Sequence, residues 1–243
     1  RGSGVALASS ALLGLGFVGL HSLGTGAARL WLLISSCVFF SFLIHLGIRV
    51  RGASRRASDS PPPHSLGPAN LLTLLRALLA AMMAGFVALP GRGTWVAWIP
   101  GLLYLLVVVG DAFDGWVARR TGTATELGGE LDMATDRVAF LTAVAVAVAW
   151  GRLHPVFLVP GFLPLLFAGH MSIRRRSGSL VHPLVHRGSR QLVGTLYTLF
   201  LVAALLPLFP PPRLVLPGVI LTIPLVLGFA RDWLHSVRGV EGR

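Results

Sequence analysis

Lysine is absent from this chain of 243 residues, acidic residues number only nine, and there is a single cysteine, Cys37. One cysteine excludes an intrachain disulfide and a thiolate zinc site. Charged residues make up 12% of the sequence against 54% hydrophobic, with a mean hydropathy of +0.75. That balance excludes a conventional soluble domain and indicates a polytopic membrane protein. A net charge of +12 would suit a nucleic-acid binder, but all 21 basic residues are arginines and they fall mainly in short loops between apolar runs. Membrane topology accounts for them, and no nucleic-acid partner is expected.

Eight apolar runs, roughly 5–23, 30–48, 70–89, 95–113, 137–151, 155–172, 191–208 and 214–231, are long enough or nearly so to span a bilayer as helices. The expected fold is therefore all-α, with a two-helix membrane extension over 1–48, an arginine- and proline-rich linker over 49–66 and a six-helix unit over 67–243. The first run is read as a retained span, because no charged region with a cleavage site frames it. In it, Gly14, Gly16 and Gly19 match G-x-G-x-x-G, but no strand precedes them, so close helix packing is expected there. With eight spans, Arg49, Arg51, Arg55, Arg56, Arg119, Arg120, Arg174, Arg175, Arg176, Arg187, Arg190, Arg231 and Arg238 share one side, against Arg29, Arg92, Arg152 and Arg213 on the other. The positive-inside rule then makes both termini and the stretch Asp111–Asp136 cytoplasmic.

Six of the nine acidic residues crowd into residues 111–136. Asp111 and Asp114 are three apart, and Asp132 and Asp136 four apart, so each pair would project from one helix face. Carboxylates beside a membrane core are costly, about 2.5–3.5 kcal/mol each, and need neutralising. Dense oxygen ligands suit a hard divalent cation such as Mg²⁺, Mn²⁺ or Ca²⁺. Gly115 and Gly128 leave room for a ligand beside the backbone, and Arg119 offers a forked cation for phosphate. Glu126 and Glu130 are expected to be solvated or to support the ligands. His182 and His186 have a metal-ligand spacing, but Pro183 lies between them and no third ligand is near. Acidic pairs in a membrane protein also suit a cation-coupled transporter; their place at the ends of spans, beside glycine and arginine, argues against it.

Asp111, Asp114, Gly115, Ala118, Arg119, Gly128, Asp132 and Asp136 fit D-x2-D-G-x2-A-R-x8-G-x3-D-x3-D without departure. This pattern resembles the signature of the CDP-alcohol phosphotransferases, also called CDP-alcohol phosphatidyltransferases. Upstream, Pro68 to Arg76 resembles the family's P-N-x-x-T-x-x-R opening with one inserted residue, and places Asn70, Thr73 and Arg76 on one helix face as a donor-site face. The resemblance implies Asp111, Asp114, Asp132 and Asp136 as ligands of two Mg²⁺ or Mn²⁺ ions, and Asp136 as the base on the acceptor hydroxyl. It implies that Arg119, with Gly115, Ala118 and Gly128, holds the cytidine diphosphate. The implied reaction transfers a phosphatidyl group from CDP-diacylglycerol to a small polar alcohol and releases CMP. CDP-choline or CDP-ethanolamine with diacylglycerol is the alternative. Family members that accept a phosphorylated alcohol hold its phosphate with basic residues after the sixth span, here Arg174, Arg175, Arg176, Arg187 and Arg190. The resemblance also implies membrane lipid as surroundings and a homodimer.

Overall fold

A computed structural model describes residues 2–21, 24–56, 68–89, 95–121, 126–178 and 188–238. Regular structure among them is entirely helical: α1 (Gly2–Leu20), α2 (Thr25–Arg56), α3 (Pro68–Ala84), α4 (Ile99–Thr121), α5 (Glu126–Ala149), α6 (Leu158–Arg176), α7 (Gly188–Leu205) and α8 (Pro211–Arg238). Each helix coincides with one apolar run, and the protein is an all-α polytopic membrane protein. Five stretches are long and apolar enough to cross a membrane: Thr25–Ile48, Leu71–Ala88, Val96–Phe113, Pro155–Arg176 and Pro211–Val237. The described apolar stretches of α1 and α7 are shorter, Ser9–Leu20 and Gln191–Leu205, and α5 gives its first turns to acidic residues.

Among the helices that outrun their apolar segments are α2 and α4. α2 continues through Arg56, into the stretch expected as linker, and α4 continues past Phe113 to Thr121. Each extension contains one glycine and no proline. A lone glycine costs a helix only about 1 kcal/mol, so nothing stops either one. Consequently Asp111 through Arg119 all stand on α4.

α3 packs against α2, α4 and α5. Its Ala77, Ala80, Ala81 and Ala84 are buried, and such small side chains let neighbouring backbones close in. Just past α3, Phe86 stands edge-on to Trp31 of α2 at 6.0 Å and to Trp150 at 6.2 Å, and the Trp150 indole N–H donates to the Phe86 carbonyl at 2.8 Å. Gly85 makes this possible, since a Cβ there would lie 2.5 Å from both Ser35 Oγ and Trp31. The N-terminal helices therefore share one buried core with the rest, through Leu13, Trp31 and Phe39. Nearer the acidic end, Phe42 and Leu46 of α2 pack with Leu74 and Ala77 of α3 and Leu131 of α5.

The turn after α5 is closed at Gly151, whose φ of +66° favours glycine. Arg152, expected on the side opposite the acidic residues, donates to the carbonyls of Ala204, Leu206 and Phe209 at 2.9, 2.6 and 2.9 Å. It thereby satisfies acceptors left over at the end of α7.

Candidate active site

Asp111 lies on α4, while Asp132 and Asp136 lie one turn apart on α5. Carboxylate oxygens of all three come within 4.8 Å of one another. Arg76 of α3 binds the set together. Its Nη2 lies 2.9 Å from Asp111 and 2.5 Å from Asp136, and its Nη1 2.5 Å from Asp132. The Nε–H donates to the Val107 carbonyl at 3.1 Å. Arg76 is 1% exposed, whereas the three aspartate side chains retain 47%, 36% and 49% of their surface. The cluster is thus sealed on the α3 side and open on another.

The open side faces a cavity of about 590 Å³, a size typical of small-molecule sites. Arg76, Asp111 and Asp136 lie on its wall, and α4, α5, α6, α7 and α8 supply the rest, chiefly apolar side chains such as Val108, Phe140, Leu225 and Phe229. Tyr104, which shares a hydrogen bond with Thr198, and the charged Arg137, Arg231 and Asp232 add polar groups. Pro164 of α6 and Pro224 of α8 also line it. An interior proline frees a carbonyl on the preceding turn and loosens the helix there.

The three carboxylates, if all ionised, exceed the single guanidinium by two negative charges (−3 + 1). The consequence falls on Asp136. Burial first, and then the Asp111 charge, push its carboxyl from 3.8 up to about 7, against the pull of Arg76. An anionic surplus made of hard oxygen donors and half open to a cavity fits Mg²⁺ or Mn²⁺. The residues present suit the cation that the sequence pattern implies.

The remaining expected site residues divide. Thr73 is buried, one turn before Arg76. Gly115 and Gly128 stand on α4 and α5, each half-buried. The side chains of Asn70, Asp114, Ala118, Arg119, Glu126 and Arg190, and the whole of His182, His186 and Arg187, lie outside the described residues. Arg174 is half-buried and Arg175 and Arg176 are exposed, and the three do not line the cavity. Sequence reading passed over Tyr104, Thr198 and Asp232, and counted Arg231 only for topology. One signal was present: Asp232 is the single acidic residue between Arg137 and Val240.

The chain matches the CDP-alcohol phosphatidyltransferase family over residues 66–230 and belongs to that family. Among curated proteins it is similar to the CDP-diacylglycerol–glycerol-3-phosphate 3-phosphatidyltransferase of Cereibacter sphaeroides, 31% identical over 91 residues, which is 37% of this chain and 41% of that protein. The proteins of the same name from Salmonella choleraesuis and Escherichia coli K12 are 32% and 34% identical over 85 residues, 35% of this chain and 44% of theirs. The chain thus spans less than half the length of these curated relatives. No solved structure matches.

Proposed function

We propose that this integral-membrane protein transfers a phosphatidyl group from CDP-diacylglycerol to the hydroxyl of a small polar alcohol, glycerol 3-phosphate first among them, and releases CMP. The observation that carries this reading is a shared wall: Asp111 and Asp136, members of the carboxylate cluster, also border a largely apolar cavity between membrane helices. A CDP-linked lipid needs both, charge compensation at its diphosphate and an apolar compartment for its acyl-bearing part. The names of the similar curated proteins support the choice of donor and of acceptor.

Asp111, Asp114, Asp132 and Asp136 would hold two divalent cations, Mg²⁺ or Mn²⁺. When bound, such ions neutralise the diphosphate and clamp the entering and leaving oxygens. Asp136 takes the proton of the acceptor hydroxyl as general base. The hydroxyl oxygen then attacks the phosphorus remote from cytidine, a phosphodiester forms, and the bond to the departing CMP breaks. Arg119, with Gly115, Ala118 and Gly128, holds the cytidine diphosphate. Asn70 and Thr73 border the donor. Arg137 and Arg231 line the cavity, so we assign an acceptor phosphate to them ahead of Arg174, Arg175 and Arg176. The distribution of arginines supports an active site and both termini on the cytoplasmic side, and the family resemblance supports a homodimer.

The test is CMP release by the purified protein with Mg²⁺ or Mn²⁺, CDP-diacylglycerol and a panel of glycerol 3-phosphate, serine, inositol, inositol phosphate and choline. Acceptor-dependent CMP is expected, largest with glycerol 3-phosphate. Activity only with CDP-choline and diacylglycerol would reverse donor and acceptor, and silence with both donors would overturn the enzyme reading.

A further inference from the structure

A guanidinium removed from water costs several kcal/mol unless every donor direction meets an acceptor. Around Arg76 four acceptors are in place: Asp111, Asp132, Asp136 and the Val107 carbonyl. Two further features build its seat. The Val107 carbonyl lies one turn before Asp111, so the Nε bond ties α3 to α4 at the turn that carries the ligand. At Gly110 a Cβ would fall 3.0 Å from Arg76 Cγ and 3.1 Å from Cδ, so the absence of a side chain there gives the arginine stem its path. On either side of Arg76 in sequence, Leu74 and Ala77 pack with Leu131, next to Asp132, which holds the spacing of α3 and α5.

The geometry points to Arg76 as a positioning residue rather than part of a donor-binding face: it gathers the three carboxylates into one ligand set before any cation or substrate arrives. The inference rests on the divalent-cation reading of the site. Without a counter-charge, carboxylates this close repel, and one of them takes a proton or turns away. Arg76 removes part of that repulsion from the α3 side and leaves the residual negative charge facing the cavity. A lysine is a point charge on a flexible stem and cannot bridge the three groups in the fixed geometry of the fork.

The experiment measures Mn²⁺ binding to detergent-purified protein from the electron paramagnetic resonance of free Mn²⁺, alongside steady-state kinetics at saturating Mn²⁺. Arg76→Lys is expected to weaken Mn²⁺ binding by about 10- to 100-fold, the range typical of residues that orient metal ligands, and Gly110→Ala by the lower end of that range. In both, kcat falls while the KM for CDP-diacylglycerol stays within about threefold, the sign that donor binding is intact. A raised donor KM with unchanged kcat and Mn²⁺ affinity would overturn the inference and return Arg76 to the donor site. Mn²⁺ binding as tight as wild type or tighter in both variants would overturn it as well. If Arg76→Lys does not fold, Gly110→Ala decides alone. Should the wild-type protein bind no Mn²⁺, the cation reading falls by itself. The positioning role is then judged in chelator, by a double-mutant cycle between Asp132→Asn and whichever of the two variants folds. Non-additive thermal midpoints support it, and additive ones sink it.

Discussion

The middle of α3 and the turn just past its C-terminal end are held by opposite kinds of force. Arg76 and Phe86 are ten residues apart, about 15 Å along a helix. At Arg76 the neighbours are three half-exposed carboxylates beside a cavity, and at Phe86 they are Trp31 and Trp150, with Gly85 pressed against α2. The ring end is closed by shape, with Trp31 Nε1 and Ser35 Oγ buried there without a hydrogen-bond partner. The Arg76 site sets three carboxylates against one guanidinium and borders a cavity. Charge stays buried at Arg76 because acceptors from two other helices surround it, whereas the contacts at Phe86 are chiefly those of packed rings.

The comparison breaks most sharply at Asp136. Asp136→Asn removes the proposed base without changing side-chain size, and CMP release is expected to fall by about 10²- to 10⁴-fold while metal-dependent CMP binding survives. Normal turnover would remove Asp136 from that role. At the ring end, Trp31→Ala empties a fully buried site. It is expected to cost about 3–5 kcal/mol in unfolding measurements, with Mn²⁺ affinity of the folded fraction unchanged. A loss of Mn²⁺ affinity there would show that the two regions are not separable. Gly85→Ala forces a Cβ against Ser35 and Trp31, with an expected cost of about 1–3 kcal/mol and no effect on donor KM.

The smallest effect is that of pH on the metal-free protein. The folded Asp136 carboxyl holds its proton up to about 7, whereas an unfolded one releases it near 3.8. Between those values the folded state binds more protons, so in chelator the thermal midpoint falls as pH rises from about 4 to about 7 and is flat above. The half-exposed side chain keeps this change modest. Mn²⁺ should recover most of it above pH 7, and the Trp31→Ala deficit should stay constant across the same range. A midpoint that rises with pH in chelator would show that Arg76 outweighs both burial and Asp111.

Much of this was readable in the residues themselves. The eight apolar runs correspond to the eight helices because a 20-residue apolar stretch in a bilayer has to satisfy its own backbone, and the helix does so. The i, i+4 interval of Asp132 and Asp136 places both on one face of α5, whereas the meeting with Asp111 depends on how α4 packs beside it. The ends of α2 and α4 were not readable. Polarity predicts a linker from 49 and a return from Arg119, but no proline falls in 49–56 or 114–121, and α2 runs to Arg56 and α4 to Thr121. Arg76 was recognised as sharing a face with Thr73, yet its partners lie 31 to 60 residues away and no local pattern names them. The cavity was illegible for the same reason, since Tyr104, Thr198, Pro224 and Asp232 come from three different helices.

The sequence by itself determined that this is a helical membrane protein and that its acidic residues stand together near the ends of two helices. Hydropathy and helical period are local quantities, summed along the chain. Only the tertiary structure decided that a buried arginine from a third helix joins those carboxylates, that the first two helices belong to the same core, and that the cluster opens into an apolar cavity. Those outcomes depend on which faces meet when the helices pack, and packing is set by the shapes of side chains far apart in sequence.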